Sequence, residues 1–366
     1  MIEISVLIPV YRDSKVLLTT LKNLVKEKVK KEIVIIVDKP TSRFLESLKQ
    51  FRKKVKLVIN EKRVGKVKAL NQGLKICKGE VILFLDADVE VRDERFLEKI
   101  LEEMEDCDFL DIKKEVVKDS WLSRLTYYEY LGFNIGSFLF SKFLKKFPAV
   151  NGSAFAVKRE VLEEVENFDQ VIVEDLDFAT KAFLKNFKFK YSTLVKVYNH
   201  VHSNFKRWIV QRKRWYIGAA FWIKRWWKDL LKFCCHKPQL VLLSLIFLYP
   251  SFTLLLIHLL LSNSLFYKFF SVSLLFLSLK FTITLPFLVV SISFFDLMKG
   301  LITTLLSFIL FGIIFKLFSK KLEFEFKWYE FFLYYFFYSL ACLILMILAL
   351  MIACFIKKPK LKDWKV

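Results

Sequence analysis

Short apolar runs and helical stretches alternate along roughly the first 200 residues. Runs rich in Val, Ile and Leu fall at Ile2–Pro9, Glu32–Asp38, Val55–Asn60 and Val81–Asp86. Their length and β-branched content suit buried strands. Between them, Ser14–Lys28, Thr41–Arg52 and Gly65–Cys77 carry the spacing of helices packed on a sheet. The alternation predicts an α/β domain with a mainly parallel sheet over residues 1–204. Ligands of such domains bind beyond the carboxyl ends of the strands, which singles out Pro9, Asp38 and Asp86.

Two later segments break the pattern. Ser120–Phe147 is aromatic and apolar and ends in lysines. It reads either as an amphipathic insert (120–147) lying on a membrane surface or as a helical hairpin within the domain. Residues 205–236 read as one helix on which Trp208, Trp215, Trp222 and Trp226 share nearly one face. Tryptophan at headgroup level with flanking cations is what an interfacial helix requires, and a core-packed helix is the alternative. Residues 239–356 are long and apolar, with candidate spans at Leu240–Leu261, Phe269–Phe295, Leu301–Phe318 and Phe331–Ile356. Leu301–Phe318 is short enough to be re-entrant. The tail 357–366 is basic and is expected on the cytoplasmic side. The chain opens directly on a strand-like run, so the soluble part is expected in the cytoplasm, and an even number of crossings follows: four, with two as the alternative.

Composition sharpens this picture. Hydrophobic residues make up 55% of the 366, with 40 Phe, which is too apolar for an ordinary soluble domain. The net charge of +22 suits anionic lipid or a phosphorylated substrate. No nucleic-acid-binding signature accompanies it. The six cysteines show no C-x-x-C or zinc spacing and read as reduced, small apolar residues.

Several clusters carry chemistry. Asp86-Ala-Asp88 closes an apolar strand, where two carboxylates can approach one divalent cation such as Mg²⁺ or Mn²⁺. Glu174-Asp175 opens a helix, a place that favours ionised carboxylates; it reads as a base or as a plain cap. Gln211, Arg214 and Trp215 lie within one helical turn, offering a phosphate fork, an amide and a flat apolar face. Arg63, Lys66 and Lys68 surround Gly65 ahead of a helix, a loop suited to a diphosphate although not a P-loop. His200 and His202 read as surface histidines, with metal ligation as the alternative.

In chain order, Ser5-Val-Leu-Ile-Pro-Val-Tyr-Arg12, Asp38, Arg63-Val-Gly-Lys-Val-Lys-Ala-Leu-Asn-Gln-Gly73, Asp86-Ala-Asp88, Asn151-Gly-Ser-Ala-Phe-Ala-Val157, Glu174-Asp175 and Gln211-x-x-Arg-Trp215 together resemble family-2 glycosyltransferases. The last element resembles the membrane-embedded branch that includes cellulose, hyaluronan and poly-N-acetylglucosamine synthases and ceramide glucosyltransferase-like enzymes. The resemblance implies a cytoplasmic GT-A (Rossmann-like) α/β domain with interfacial helices and a C-terminal transmembrane bundle. It also implies an inverting, metal-dependent transfer of sugar from a nucleotide-diphosphate donor to a lipid-linked or polysaccharide acceptor. By that likeness Pro9, Tyr11 and Asp38 surround the base and ribose, Asp86 contacts the nucleotide, and Asp88 holds the metal. Asp175 is the general base beside Glu174; Asn151, Gly152 and Ser153 line the acceptor pocket; Gln211 and Arg214 hold the diphosphate; Trp215 stacks under the acceptor. The chain departs from the family at Lys39-Pro40, where a second Asp and a Gly are usual, and at its start, where polymer-extruding members carry further spans. A polyprenyl-phosphate glycosyltransferase, a nucleotide-sensing transporter and a basic lipid-binding scaffold are the competing readings.

Overall fold

The structure is a computed structural model that describes residues 2–250 and 285–356, with side chains from 298 in the second stretch. It divides into two compact units, one built on Met1–Ser244 with the chain from Ile344 onward, the other on Leu245–Leu343.

The first unit is organised by an eight-stranded sheet of order β3-β2-β1-β4-β7-β6-β8-β5. Its strands are β1 Ile4–Tyr11, β2 Lys31–Asp38, β3 Lys56–Asn60, β4 Val81–Leu85, β5 Val89–Glu90, β6 Phe109–Val116, β7 Ala154–Lys158 and β8 Phe189–Asn199. Strands β3, β2, β1 and β4 run parallel, as the alternation predicts. β7 then enters antiparallel to both β4 and β6, and β5 antiparallel to β8, so the sheet is mixed, with the other six strands running one way as expected. This inversion places the start of β7 beside the end of β4, with Leu85 opposite Ala154. β1 and β4 are buried along most or all of their length because helices cover both faces of the central strands. Around the sheet lie α1 Lys15–Lys26, α2 Ser42–Leu48, α3 Lys66–Leu74, α4 Phe96–Met104, α5 Trp121–Phe143, α6 Arg159–Val165 and α7 Glu174–Leu184. β1 runs two residues past the predicted end at Pro9, so Pro9 pairs with Ile36 inside the sheet and Tyr11 closes the strand.

The aromatic insert is neither a hairpin nor a strip lying along a surface. It forms the single helix α5, started by a capping box at Ser120 and Ser123. Its middle is buried, and Asn134 fastens it to β6 by accepting from Lys114 N at 3.0 Å. Trp121 (63% exposed) and Phe143 (62%) mark its open ends. α8, Phe205–His236, also departs from expectation. The tryptophan face assigned to the headgroup layer is turned toward protein. Trp208 is buried, and the indole N–H groups of Trp222 and Trp226 donate to Thr180 and Asp177 of α7. Acceptors on α7 take the indole donors that the interfacial reading leaves to headgroups and water. After α8 the chain bends by 109° into α9, Pro238–Leu248.

Among the described residues the helices that follow are α10 Leu285–Lys321, α11 Trp328–Leu333, a π-helical turn Tyr334–Tyr338, and α12 Ser339–Phe355. Among the described residues Met298–Lys321 and Trp328–Phe355 are long and apolar enough to span a membrane, with mean hydropathy 2.3 and 2.6. Leu301–Phe318, expected to be short and open to a re-entrant reading, is instead one stretch of the continuous α10, because neither Lys299 nor Gly300 interrupts the helix. The expected span Leu240–Leu261 continues past Pro250, and Phe269–Phe295 begins, outside the described residues, as does the tail 357–366.

Gly79 is required where the chain enters β4. A Cβ there would stand 2.5 Å from Ser5 N and 2.7 Å from Ile4 C, backbone atoms that cannot give way. Gly79→Ala is expected to destabilise the protein by about 1–3 kcal/mol. Denaturant unfolding of the detergent-solubilised protein measures it, and parental stability would show that β1 and β4 do not approach this closely.

Candidate active site

The site is assembled where strand ends meet helix starts. Asp38, the last residue of β2, is 4% exposed and accepts from Val64 N (3.0 Å), Gly65 N (2.8 Å) and Asn60 Nδ2 (2.9 Å). Its carboxylate therefore holds the basic loop rather than standing open at the cleft. Gly65 takes φ +95°, a conformation that favours glycine, and the chain turns there into α3. Lys66 is the first residue of α3, and its ammonium pairs with Asp86 (2.7 Å) and Glu174 (3.0 Å). Further along the same helix Asn71 bonds both backbone groups of Phe168, holding the segment that leads to Glu174.

The Asp86–Asp88 turn is fastened on three sides. Asp86 N donates to Ser153 O at 2.9 Å, a direct result of the antiparallel entry of β7. His200 N donates to Asp88 O at 3.2 Å, and from α1 Ser14 Oγ donates to Ala87 O at 2.6 Å. The His200 ring itself pairs with Glu90 at 2.9 Å, so it lies next to the acidic turn without joining a cluster.

Glu174 and Asp175 open α7, one side chain on Lys66 and the other on Gly152. Asp175 Oδ2 accepts from Gly152 N at 2.7 Å, and Oδ1 accepts from Leu176 N at 2.9 Å. A Cβ on Gly152 would overlap this carboxylate at 2.5 Å, which explains the glycine. Asn151 accepts from Ser153 N at 3.2 Å, and Ser153 is buried. Pro9, Lys66, Asp86, Gly152, Glu174 and Asp175 thus line one cleft, with Phe84, Phe155 and Phe168 as apolar lining.

Charge is crowded here. Desolvation in the cleft and the neighbouring Glu174 push Asp175 up to about 6, against the pull of Lys66. Desolvation and Asp86 likewise push Asp88 up to about 6. Asp86 is raised by desolvation and by Glu174, with Lys66 and Arg214 opposing. Desolvation would lower Lys66, but Asp86, Glu174 and Asp175 hold its proton more tightly than usual. Repulsion between Asp86 and Asp88 makes the turn a place where added positive charge is favoured. Among the described residues no third Asp, Glu, His or Cys joins them. A divalent cation held by one or two carboxylates would complete its shell with phosphate and water oxygens, the usual habit of Mg²⁺, so the residues fit such an ion.

α8 supplies the cationic wall. Arg214 acts electrostatically on both Asp86 and Arg63, so its charge is felt by the acids of the cleft. Gln211 and Trp215 are half-buried on the same helix, and the Trp215 ring lies 4.2 Å from the Arg212 guanidinium rather than against the acids. Gly218 lets α8 press on the loop ahead of Glu174, since a Cβ there would meet Val173 Cγ1 at 2.5 Å. Sequence reasoning named Arg63 with the basic loop and missed Arg212. Arg63 lies over the Tyr11 ring at 4.0 Å, where the β1 end and the basic loop meet. Arg212, fully buried, pairs with Glu129 of α5. The only signal for it was a single acid in an aromatic helix and a cation between Gln211 and Arg214.

The family model for glycosyl transferase family 2 matches residues 5–166. The matched stretch lies within the first unit and takes in β1 to β7 of its mixed sheet. The chain is 24% identical to probable glycosyltransferase YdaM of Bacillus subtilis over 282 residues, 72% of this chain and 66% of that one. It is 37% identical to probable glucomannan 4-beta-mannosyltransferase 14 of Arabidopsis thaliana over 87 residues, 24% of this chain and 16% of that one. It thus spans about two thirds of the length of the first relative and about a sixth of the second. A mannosyltransferase from Pyrobaculum calidifontis, solved in complex with GDP-mannose and Mn²⁺, matches at TM-score 0.49 and 20% identity, over 60% of this chain and 62% of that one.

Asp38→Ala leaves two backbone N–H groups without their acceptor and is expected to cost about 1–3 kcal/mol, with Asp38→Asn costing less because one oxygen remains. Thermal unfolding checks this. Equal stability of Asp38→Ala and the parent would mean the loop is not held by this carboxylate.

Proposed function

We propose that the chain is an inverting glycosyltransferase (EC 2.4) that moves a sugar from a nucleotide-diphosphate donor to a lipid-linked or polysaccharide acceptor at the cytoplasmic face of the cell membrane. The observation that carries the reading is the sharing of Lys66 between Asp86 and Glu174, with Asp175 beside them and Arg214 facing the same cleft.

In this reading Tyr11 and Pro9 flank the nucleotide, with Arg63 above the Tyr11 ring. Lys66, Arg214 and Gln211 take the diphosphate. Mg²⁺ or Mn²⁺, held by Asp88 with Asp86, would neutralise charge on the departing diphosphate. Asp175, anchored by Gly152 N and Leu176 N, accepts the proton of the acceptor hydroxyl. The hydroxyl oxygen forms its bond to the anomeric carbon on the face opposite the diphosphate, whose bond breaks with the electron pair leaving on phosphate oxygen. Configuration inverts. Asn151, Gly152 and Ser153 shape the acceptor side, and Trp215 offers its ring there. A base with a carboxyl near 6 is ionised at neutral pH yet still strong enough to take a proton. Two long apolar helices support work at a membrane surface, where a lipid-linked acceptor is at hand.

Detergent-purified protein given UDP-glucose, UDP-GlcNAc or GDP-mannose with Mn²⁺ or Mg²⁺ is expected to release nucleotide from at least one donor in the presence of native membrane acceptor. Asp175→Asn should lower kcat on the order of 10²–10⁴-fold while nucleotide binding stays intact. Activity should rise with pH through an acid limb near pH 6, because the base works only once deprotonated. Absence of turnover with every donor, or full activity in Asp175→Asn, contradicts the proposal.

A further inference from the structure

The turn Trp222–Trp226 of α8 faces two ways. Toward the sheet unit, Trp222 Nε1 donates to Thr180 Oγ1 at 2.8 Å, and Trp226 Nε1 donates to Asp177 Oδ1 at 2.9 Å. Arg225 pairs with Asp177 at 3.2 Å and also with Asp169. Asp177 is buried in the first turn of α7, two residues beyond Asp175. In the other direction Lys224 Nζ donates to Ala353 O at 2.6 Å and to Ile356 O at 3.0 Å. These carbonyls lie in the last turn of α12 and just past its end, where a helix leaves carbonyl groups without intrahelical partners. A cation at that position also meets the negative end of the helix dipole. The backbone leaves helical geometry at Trp226 (φ −106°, ψ 16°), where the two sets of contacts meet.

We infer that Lys224 is a positioning residue: through the 222–226 turn, the seat of the last apolar helix fixes the first turn of α7, and with it Asp175. The inference rests on Asp175 being the general base. The physical chain is short. α12 is held by its terminal carbonyls on Lys224; Lys224 shares a turn with three donors to α7 and its approach, Trp222, Arg225 and Trp226; and two of these, Arg225 and Trp226, end on Asp177, the carboxylate next but one to the base. Removing the ammonium leaves the α12 carbonyls to water and releases one side of the turn. A base displaced by about 1 Å can lose up to 10²-fold in rate without any change in donor contacts.

Lys224→Met in the full chain is the test, with Lys224→Arg beside it. The expected result is a kcat lowered on the order of tenfold with the donor KM little changed, and restoration by Lys224→Arg, which keeps the charge and donors. Hydrogen–deuterium exchange of peptides covering 171–180 should be faster in Lys224→Met than in wild type, whether or not substrate is present. Should Lys224→Met not be recovered folded, Lys224→Gln, which keeps one donor group, gives the same readouts at smaller amplitude. Wild-type turnover with unchanged kcat and exchange in the variant overturns the inference alone. A wild-type protein inert toward every donor overturns the proposed function instead, and exchange then decides the link: faster exchange upholds it and unchanged exchange overturns it.

Discussion

An ammonium group placed between carboxylates from two separate elements is the constraint on which the site depends. Without Lys66, Asp86 at the end of β4 and Glu174 at the start of α7 would face each other with Asp175 and Asp88 close by, and like charges at this spacing repel in a partly desolvated cleft. The position of Lys66 is in turn set by a buried acid. Asp38 draws the backbone of Val64 and Gly65 onto the end of β2, and Gly65 turns the chain so that α3 starts with this lysine aimed at Asp86.

The sheet supplies the rest of the frame. Antiparallel entry of β7 carries Gly152 and Ser153 to the end of β4, so that one carbonyl holds the Asp86 backbone and one amide holds the Asp175 side chain. Glycines stand where backbone must come close: Gly152 against Asp175, and Gly218 of α8 against Val173. Asp175, the proposed base, thus lies between a strand start and the loop on which α8, the helix of Arg214, presses. The same helix continues to the turn that caps α12, which joins the domain's chemistry to its apolar carboxyl-terminal part.

Much of this was legible in the residue pattern. The period of apolar positions located β1 to β4 and the helices between them, because buried central strands need continuous Val, Ile and Leu. Motif order located the acids and Lys66, because strand ends are where such domains keep reactive groups. Periodicity alone could not reveal the inversion at β7, since a buried strand reads the same in either direction. It also could not tell what a tryptophan face meets. Trp222 and Trp226 have the spacing of an interfacial helix, but their N–H groups find Thr180 and Asp177, acceptors remote in sequence. Nor could a carboxylate at a strand end announce that it also holds the backbone of a distant loop, as Asp38 does at Val64 and Gly65. Arg212 and Glu129 were hidden because a buried ion pair leaves no periodic trace.

The claim that Lys66 and Glu174 jointly set the proton affinity of Asp175 is tested most directly by the acid limb of the pH–rate profile in two variants. Lys66 lowers that affinity and Glu174 raises it. Lys66→Met should therefore move the limb to higher pH and Glu174→Gln should move it to lower pH. Limbs that stay in place, or that move the same way in both variants, would contradict the shared-charge account.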